Sequence, residues 1–247
     1  MNKNIFITGG TSGIGESLIL EFAKKNYNIF FTYFKKTKKA KSILKELQKF
    51  NGYYRCAKMD LTKISSIINA FRIFNKKFKK LDIFVNNASP TIERKEFLKL
   101  KNKDIYKKID GLLTGNIVSL KSAIQLILKN KKKSIIINIS SYAAISGGKN
   151  IHLYAAAKSA LNTLVTALSK DALTNKVKIV SLVPRRVDTP TFRKNNKIKN
   201  HTDLNAFKKR NKIKSIKTSD EFATFVYKKV VKQININNKP IVYFDSV

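Results

Sequence analysis

Residues 8–15 read Thr-Gly-Gly-Thr-Ser-Gly-Ile-Gly, directly after the apolar run Ile5-Phe6-Ile7 and directly before a segment whose apolar residues recur at helical spacing. That order predicts strand, turn and helix. Gly9 permits a sharp turn. Gly13 and Gly15 let a pyrophosphate approach the main chain at the start of the helix, where free N–H groups and the helix dipole favour negative charge. Such a unit at the head of a chain points to a parallel sheet covered by helices.

The rest of the chain continues the alternation. Apolar strand candidates are Ile5–Thr8, Asn28–Tyr33, Tyr53–Lys58, Ile83–Asn86, Ser134–Ile139, Val177–Val183 and Pro240–Phe244, with helical patterns at Lys38–Lys49, Ile64–Phe78, Ile105–Lys129 and Tyr154–Leu173. Seven strands separated by helices predict an α/β fold with a doubly wound, seven-stranded parallel sheet, whose ligands bind beyond the C-terminal ends of the strands. The 247 residues suit one domain, 1–247, and no Pro/Ser/Gly-rich linker divides them.

Tyr154 and Lys158 stand four residues apart in LYAAAKSAL, and Ser141 lies thirteen positions upstream of the tyrosine. On a helix, residues i and i+4 share a face. A phenol and an ammonium there can point into one cleft, where the cation favours the ionised phenol. A tyrosine with a labile proton is an acid/base catalyst.

Taken together these residues resemble the short-chain dehydrogenase/reductase family over nearly the whole chain, most of all its 3-oxoacyl-(acyl-carrier-protein) reductase-like members. TGGTSGIG matches the family's TGxxxGxG cofactor turn, which brings Gly9, Thr11, Ser12, Gly13, Ile14 and Gly15 to the cofactor. Asp60-Leu61 matches the adenine-side position after the third strand. Asn86-Asn87-Ala88 matches the NNAG segment and adds Asn87 and Ala88. Pro184 to Thr189 corresponds to PGxxxT beside the nicotinamide and adds Pro184, Val187 and Thr189. Ser141, Tyr154 and Lys158 match the catalytic trio, the last two also touching the cofactor.

The resemblance implies a Rossmann-type fold and an NAD(P)-dependent oxidoreductase that interconverts a carbonyl and an alcohol. Tyr154 would give the proton to the carbonyl oxygen, or take it in the reverse direction. Lys158 would lower the tyrosine pKa and hold the nicotinamide ribose, and Ser141 would fix the substrate oxygen. Enoyl-thioester reductases share the fold but typically place Tyr and Lys further apart. A non-catalytic NADP(H)-binding protein is the third reading. The family also pairs commonly through its two long central helices, here Ile105–Lys129 and Tyr154–Leu173, which implies a homodimer or homotetramer.

Cofactor choice turns on the second strand. Counting along the family pattern puts Tyr33 where enzymes that bind a free ribose hydroxyl carry a carboxylate; Phe34, Lys35 and Lys36 follow. A lysine pairs with a 2′-phosphate that a carboxylate would repel, so NADP(H) is expected over NAD(H), with Lys35 ahead of Lys36. Three positions depart from the family. Its helix Asn falls on Gly111, Leu112 or Leu113, while Asn116 lies one turn beyond Leu112. Its Pro-Gly is Pro184-Arg185, followed by Arg186: turned inward, either arginine suits a substrate carboxylate or phosphate; turned outward, it is a solvated charge. Ser89-Pro90 replaces the glycine of NNAG, either narrowing the pocket or resetting the loop.

Lys and Arg total 51 against 15 acidic residues, a formal net charge of +36. The lysines are spread along the chain beside abundant Asn and Ile, as an A/T-rich coding sequence would give, and no nucleic-acid-binding motif accompanies them. Pro190–Ser219, polar and lysine-rich, is expected to be a long loop serving as substrate lid. Its Arg193, Lys197, Lys199, Lys208, Lys209 and Arg210 suit an anionic metabolite or an acidic carrier protein bearing the carbonyl substrate. His152 and His201 lack metal-ligand spacing, and the single Cys56 reads as a packed thiol, so no metal is expected. With no membrane-spanning stretch and no signal segment, a soluble cytoplasmic protein is expected.

Overall fold

Alternation along the first strand sets up a two-sided core. In β1 (Asn4–Ile7), Ile5 and Ile7 join one apolar cluster and Phe6 joins another, as a period of two requires. The computed structural model describes residues 2–90, 94–171, 175–232 and 239–244. It continues with α1 (Ile14–Ala23), β2 (Asn28–Tyr33), α2 (Thr37–Leu47), β3 (Tyr54–Lys58), α3 (Ile64–Phe78), β4 (Ile83–Asn86), α4 (Asn102–Ile109), α5 (Gly115–Ile127), β5 (Ser134–Ile139), α6 (Ala143–Ser146) and α7 (His152–Leu168). Then follow β6 (Val177–Pro184), β7 (Val187–Asp188), α8 (Pro190–Asn195), α9 (His201–Arg210), β8 (Lys217–Thr218), α10 (Ser219–Phe225) and β9 (Ile241–Phe244).

Seven strands form one parallel sheet in the order β3-β2-β1-β4-β5-β6-β9. β5 is buried at every position, which explains its apolar Ile135–Ile137 run, and its buried Ser134 and Asn138 are hydrogen-bonded. On one face Leu18, Phe22, Ile43 and Phe222, from α1, α2 and α10, cover Ile5, Ile7 and Phe31. On the other, Phe74, Leu120 and Leu161, from α3, α5 and α7, cover Phe6, Phe30, Phe84 and Ile136. The expected doubly wound α/β architecture is the one found. The sheet grows toward β2 and β3 on one side of β1 and toward β4 on the other, so a crevice opens where β1 and β4 end.

Two expected elements differ. The helix expected over Ile105–Lys129 starts at Asn102 and is interrupted by a π-helical turn, Asp110–Thr114. The Asn116 amide donates to the carbonyls of Gly111 (3.3 Å) and Leu112 (3.0 Å), holding the widened turn. Gly115 meets Leu61 so closely that a Cβ there would lie 2.1 Å from the Leu61 carbonyl oxygen. The expected loop at Pro190–Ser219 is instead α8, α9 and the two-residue strand β8, which pairs in parallel with β7. Its helices have caps: Thr189 accepts from Phe192 N–H with Pro190 at the first turn, and Asn200 accepts from Asp203 N–H. The end of the helix expected at Tyr154–Leu173 lies partly outside the described residues.

Candidate active site

The crevice between β1 and β4 is built from close backbone contacts. Gly9 (φ 70°) and Gly13 (φ 54°) take left-handed conformations that favour glycine. A Cβ on Gly9 would lie 2.9 Å from Ala88 Cα, and one on Gly15 would lie 2.3 Å from the Gly9 carbonyl oxygen. Asn87 straps the turn: its side-chain amide donates to the carbonyls of Thr8 (2.8 Å) and Gly9 (3.1 Å). Thr8 Oγ1 in turn accepts from the Asn87 and Ala88 N–H groups at 2.9 Å each. That role of Thr8 has no local sequence signal, because it rests on a contact between segments about 80 residues apart.

α1 begins at this cradle with Gly13 as N-cap and no side-chain cap hydrogen bond, so its first N–H groups face the crevice without a side-chain acceptor. Thr11 is buried; Ser12 and Ile14 are half-buried. Thr189 closes the other wall, with its Cβ 3.2 Å from where a Gly13 Cβ would stand. Pro184 and Val187 are buried behind it. A cradle that added Cβ atoms would fill, at an uncapped helix start, fits a pyrophosphate.

At the adenine-side end, Tyr33 is half-buried at the end of β2, and Lys35 and Lys36 are exposed. Lys39 is committed to Glu16 at 2.6 Å. Asp60 accepts from Thr62 N–H (3.0 Å) and Thr62 Oγ1 (2.8 Å). Burial alone would raise its carboxyl, but these hydrogen bonds and the nearby Lys63 and Lys107 leave it below its usual value. Leu61 is buried against the start of α5.

Ser141, Tyr154 and Lys158 gather beyond the end of β5, the strand next to β4. Lys158, 3% exposed, donates from Nζ to the Ile139 carbonyl at 2.7 Å and lies 5.9 Å from the Tyr154 ring centre. Ser141 Oγ accepts from Ala143 N–H at 3.2 Å. The phenol differs from the simple expectation of a lowered pKa. Burial pushes it above its ordinary value, while its hydrogen bond with the Ser141 side chain acts the other way. The same burial lowers Lys158 to about 8. Burial disfavours the ionised form of each.

Neighbouring Ser140 is buried and not engaged in this group; its hydroxyl has no hydrogen-bond partner among the described residues. Where the family pattern has its helix Asn stands the π-helical turn, with Gly111 packed on Pro90 and Leu112 buried. Asn116 is buried beside it, its amide on the turn's carbonyls and its Oδ1 without a partner among the described residues. Ser89 is exposed, with its hydroxyl donating to the Pro90 carbonyl (3.3 Å). His152, first residue of α7, packs edge-on against Phe97 at 5.4 Å.

A buried polar ladder under the site was not foreseen from sequence. Asn86 donates to Asn138 (3.1 Å), Asn138 to Ser181 (3.0 Å), and Ser181 to Asn162 Oδ1 (2.6 Å). It crosses β4, β5 and β6 and ends on α7 one turn beyond Lys158, fixing the helix that carries Tyr154 and Lys158. Of the two arginines after Pro184, Arg185 is exposed and stacked 5.1 Å from the Tyr142 ring centre, while Arg186 is half-buried. Arg193 is not free for a ligand, since its Nε and Nη2 each lie 2.7 Å from a carboxylate oxygen of Asp188.

Among the described residues no helix is long and apolar enough to cross a membrane. The short chain dehydrogenase family model matches residues 3–200. A short chain dehydrogenase/reductase of Gibberella zeae, dpfgG, is 29% identical over 147 residues, 59% of this chain and 53% of that protein. The alignment thus spans about half the length of that curated relative. Two solved structures overlay on 98% of this chain and 96% of their own. One is a short chain dehydrogenase from Burkholderia cenocepacia J2315 in complex with NADP, at a TM-score of 0.83 and 22% identity. The other is a 3-ketoacyl-(acyl-carrier-protein) reductase from Brucella melitensis complexed with NADH, at 0.81 and 20%. The matching family model, the doubly wound sheet and the glycine cradle agree: this chain belongs to the short-chain dehydrogenase/reductase family of oxidoreductases.

Proposed function

We propose that this chain is an NADP(H)-dependent carbonyl reductase or alcohol dehydrogenase. The observation that carries the reading is the convergence of Ser141, Tyr154 and Lys158 beside an uncapped, glycine-lined helix start. The Gly9–Gly15 turn would hold the pyrophosphate, braced by Asn87 and Ala88. Asp60 and Leu61 would flank the adenine, and Pro184, Val187 and Thr189 the nicotinamide. A bound nicotinamide supplies or accepts the hydride.

The protein's own part is proton handling and positioning. Tyr154, kept protonated by its buried setting, donates to the carbonyl oxygen; in oxidation it must first ionise and then accepts the proton. Ser141 holds that oxygen from the other side. Lys158 supplies a cation next to the phenol as negative charge develops there, and its hold on the Ile139 carbonyl fixes where that cation sits. The four-residue Tyr–Lys spacing argues against an enoyl-thioester reductase. Turnover of any ketone at the expense of NADPH by the intact chain is the direct test.

The preference for the 2′-phosphate rests on Lys35 and Lys36, exposed at the end of β2 where Tyr33 stands in place of a carboxylate. In a fluorescence titration NADPH should bind roughly tenfold or more tighter than NADH, and Lys35→Glu should erase most of that margin. Equal affinities in the wild-type chain would overturn the preference.

α8 and α9 are proposed as the substrate lid, with Lys197, Lys199, Lys208, Lys209 and Arg210 available to an anionic or carrier-protein-bound carbonyl substrate such as a 3-oxoacyl thioester. A homodimer or homotetramer is proposed through α5 and α7. Apart from buried Lys158, α7 carries no Lys, Arg, Asp or Glu, and its exposed residues include Ala156, Ser159, Ala160 and Thr163. In so basic a chain, an uncharged helix face supports a contact with another copy. Light scattering on the eluting protein should give a dimer or tetramer mass, and Thr163→Arg should shift it toward the monomer. A monomer at micromolar concentration would contradict the pairing.

A further inference from the structure

Two segments run side by side beyond the end of the sheet. Ile139 pairs with Leu182, Ser140 N–H donates to the Leu182 carbonyl (2.8 Å), and Tyr142 N–H donates to the Pro184 carbonyl (3.0 Å). This carries the β5–β6 register onward and sets Ser141 beside Pro184 and Tyr142 beside Arg185. Residues directly opposite share a face, and the stacking of Arg185 on Tyr142 is the contact that this register produces. Arg186 follows at once, past the bend at Arg185 that ends this pairing.

Arg186 is half-buried next to Arg185 and Tyr142. Burial, and after it the charge of Arg185, holds its guanidinium below its ordinary value. Neither arginine forms an ion pair with a carboxylate among the described residues, and Asp188, two residues from Arg186, has both carboxylate oxygens on Arg193. Two adjacent guanidiniums without a counter-ion, one of them partly desolvated, form an arrangement that an oxyanion would relieve. The planar fork of an arginine matches carboxylate and phosphate alike. A purely solvated charge would not be withdrawn from water in this way.

We infer that Arg186, with Arg185 stacked beside it, receives an oxyanion carried by the carbonyl substrate, a carboxylate or a phosphate, and so selects anionic ketones over neutral ones. The inference rests on carbonyl reduction at Ser141 and Tyr154.

The test uses the full chain with NADPH and matched substrate pairs: a short 3-oxo carboxylate against its methyl ester, and a ketose phosphate against the free ketose. In the wild type, one pair should favour its anionic member by about ten- to a hundredfold in kcat/KM, mostly through KM. The pair that does so identifies the oxyanion. Arg186→Gln should collapse that ratio toward one, and Arg186→Lys should restore part of it, which a merely structural role would not. If ketones are reduced without an anionic preference, or Arg186→Gln keeps the preference, the oxyanion site is wrong and the reductase stands. If no carbonyl is reduced, the reductase reading fails. Calorimetric titration of the NADPH-loaded chain with butyrate and with inorganic phosphate then decides the site. Binding weakened about tenfold by Arg186→Gln upholds it; no binding, or equal binding, overturns it.

Discussion

Tyr154→Phe is expected to lower carbonyl turnover by about two to four orders of magnitude, the usual contribution of a positioned general acid, while cofactor binding is retained. Phenylalanine fills the same space on α7 and removes only the hydroxyl that meets Ser141. The change deletes one hydrogen bond and should cost about 1 kcal/mol of stability, so a near-normal melting curve must accompany the lost activity. Because burial raises the phenol pKa, the protonated form required for reduction dominates at neutral pH. Steady-state kinetics of the two proteins, each with a cofactor titration, check the expectation. A Phe variant with wild-type turnover would rule out the tyrosine as proton donor.

Gly15→Ala should weaken cofactor binding and destabilise the fold together. The added Cβ would lie 2.3 Å from the Gly9 carbonyl oxygen and 2.7 Å from Asn87 Nδ2. Neither can yield cheaply, since Gly9 is backbone and Asn87 is already bonded to Thr8 and Gly9. Relieving the overlap moves the turn, at about 1–3 kcal/mol for an overpacked site, and pulls apart the crevice at β1 and β4. A drop in affinity of roughly tenfold or more would accompany the lower melting temperature. Calorimetry of the variant with and without NADPH measures both effects. Wild-type affinity and melting would mean that the cradle is looser than its contacts indicate.

The parts of this molecule that were legible in its sequence are those governed by local pattern. β5 announced itself because burial on both faces favours apolar residues such as Ile135–Ile137, and the glycines because Gly9 and Gly15 meet backbone that a Cβ would strike while Gly9 and Gly13 take positive φ. The Tyr154–Lys158 pair is weak on helical spacing alone in so lysine-rich a chain, and drew its weight from the glycine-rich turn and the other motifs read with it. The π-helical turn was not, because it depends on the side chain of Asn116 capturing two carbonyls of the preceding turn. α8 and α9 carried cap signals, Thr189-Pro190 and Asn200 with Asp203, but their polar, lysine-rich composition masked them. The ladder from Asn86 to Asn162 joins residues far apart in the chain, and the rise in the Tyr154 pKa follows from a burial that only the assembled fold creates.

The measurement that bears most directly on the proposed function is NADPH consumption by the intact chain against 3-oxoacyl thioesters, enoyl thioesters, simple ketones and ketosugars, run beside Tyr154→Phe. Consumption with at least one ketone, absent from the enoyl thioesters and lost in the Phe variant, is the expected result. NADPH bound but not consumed with any ketone, or consumed equally by both proteins, would contradict a tyrosine-dependent carbonyl reductase.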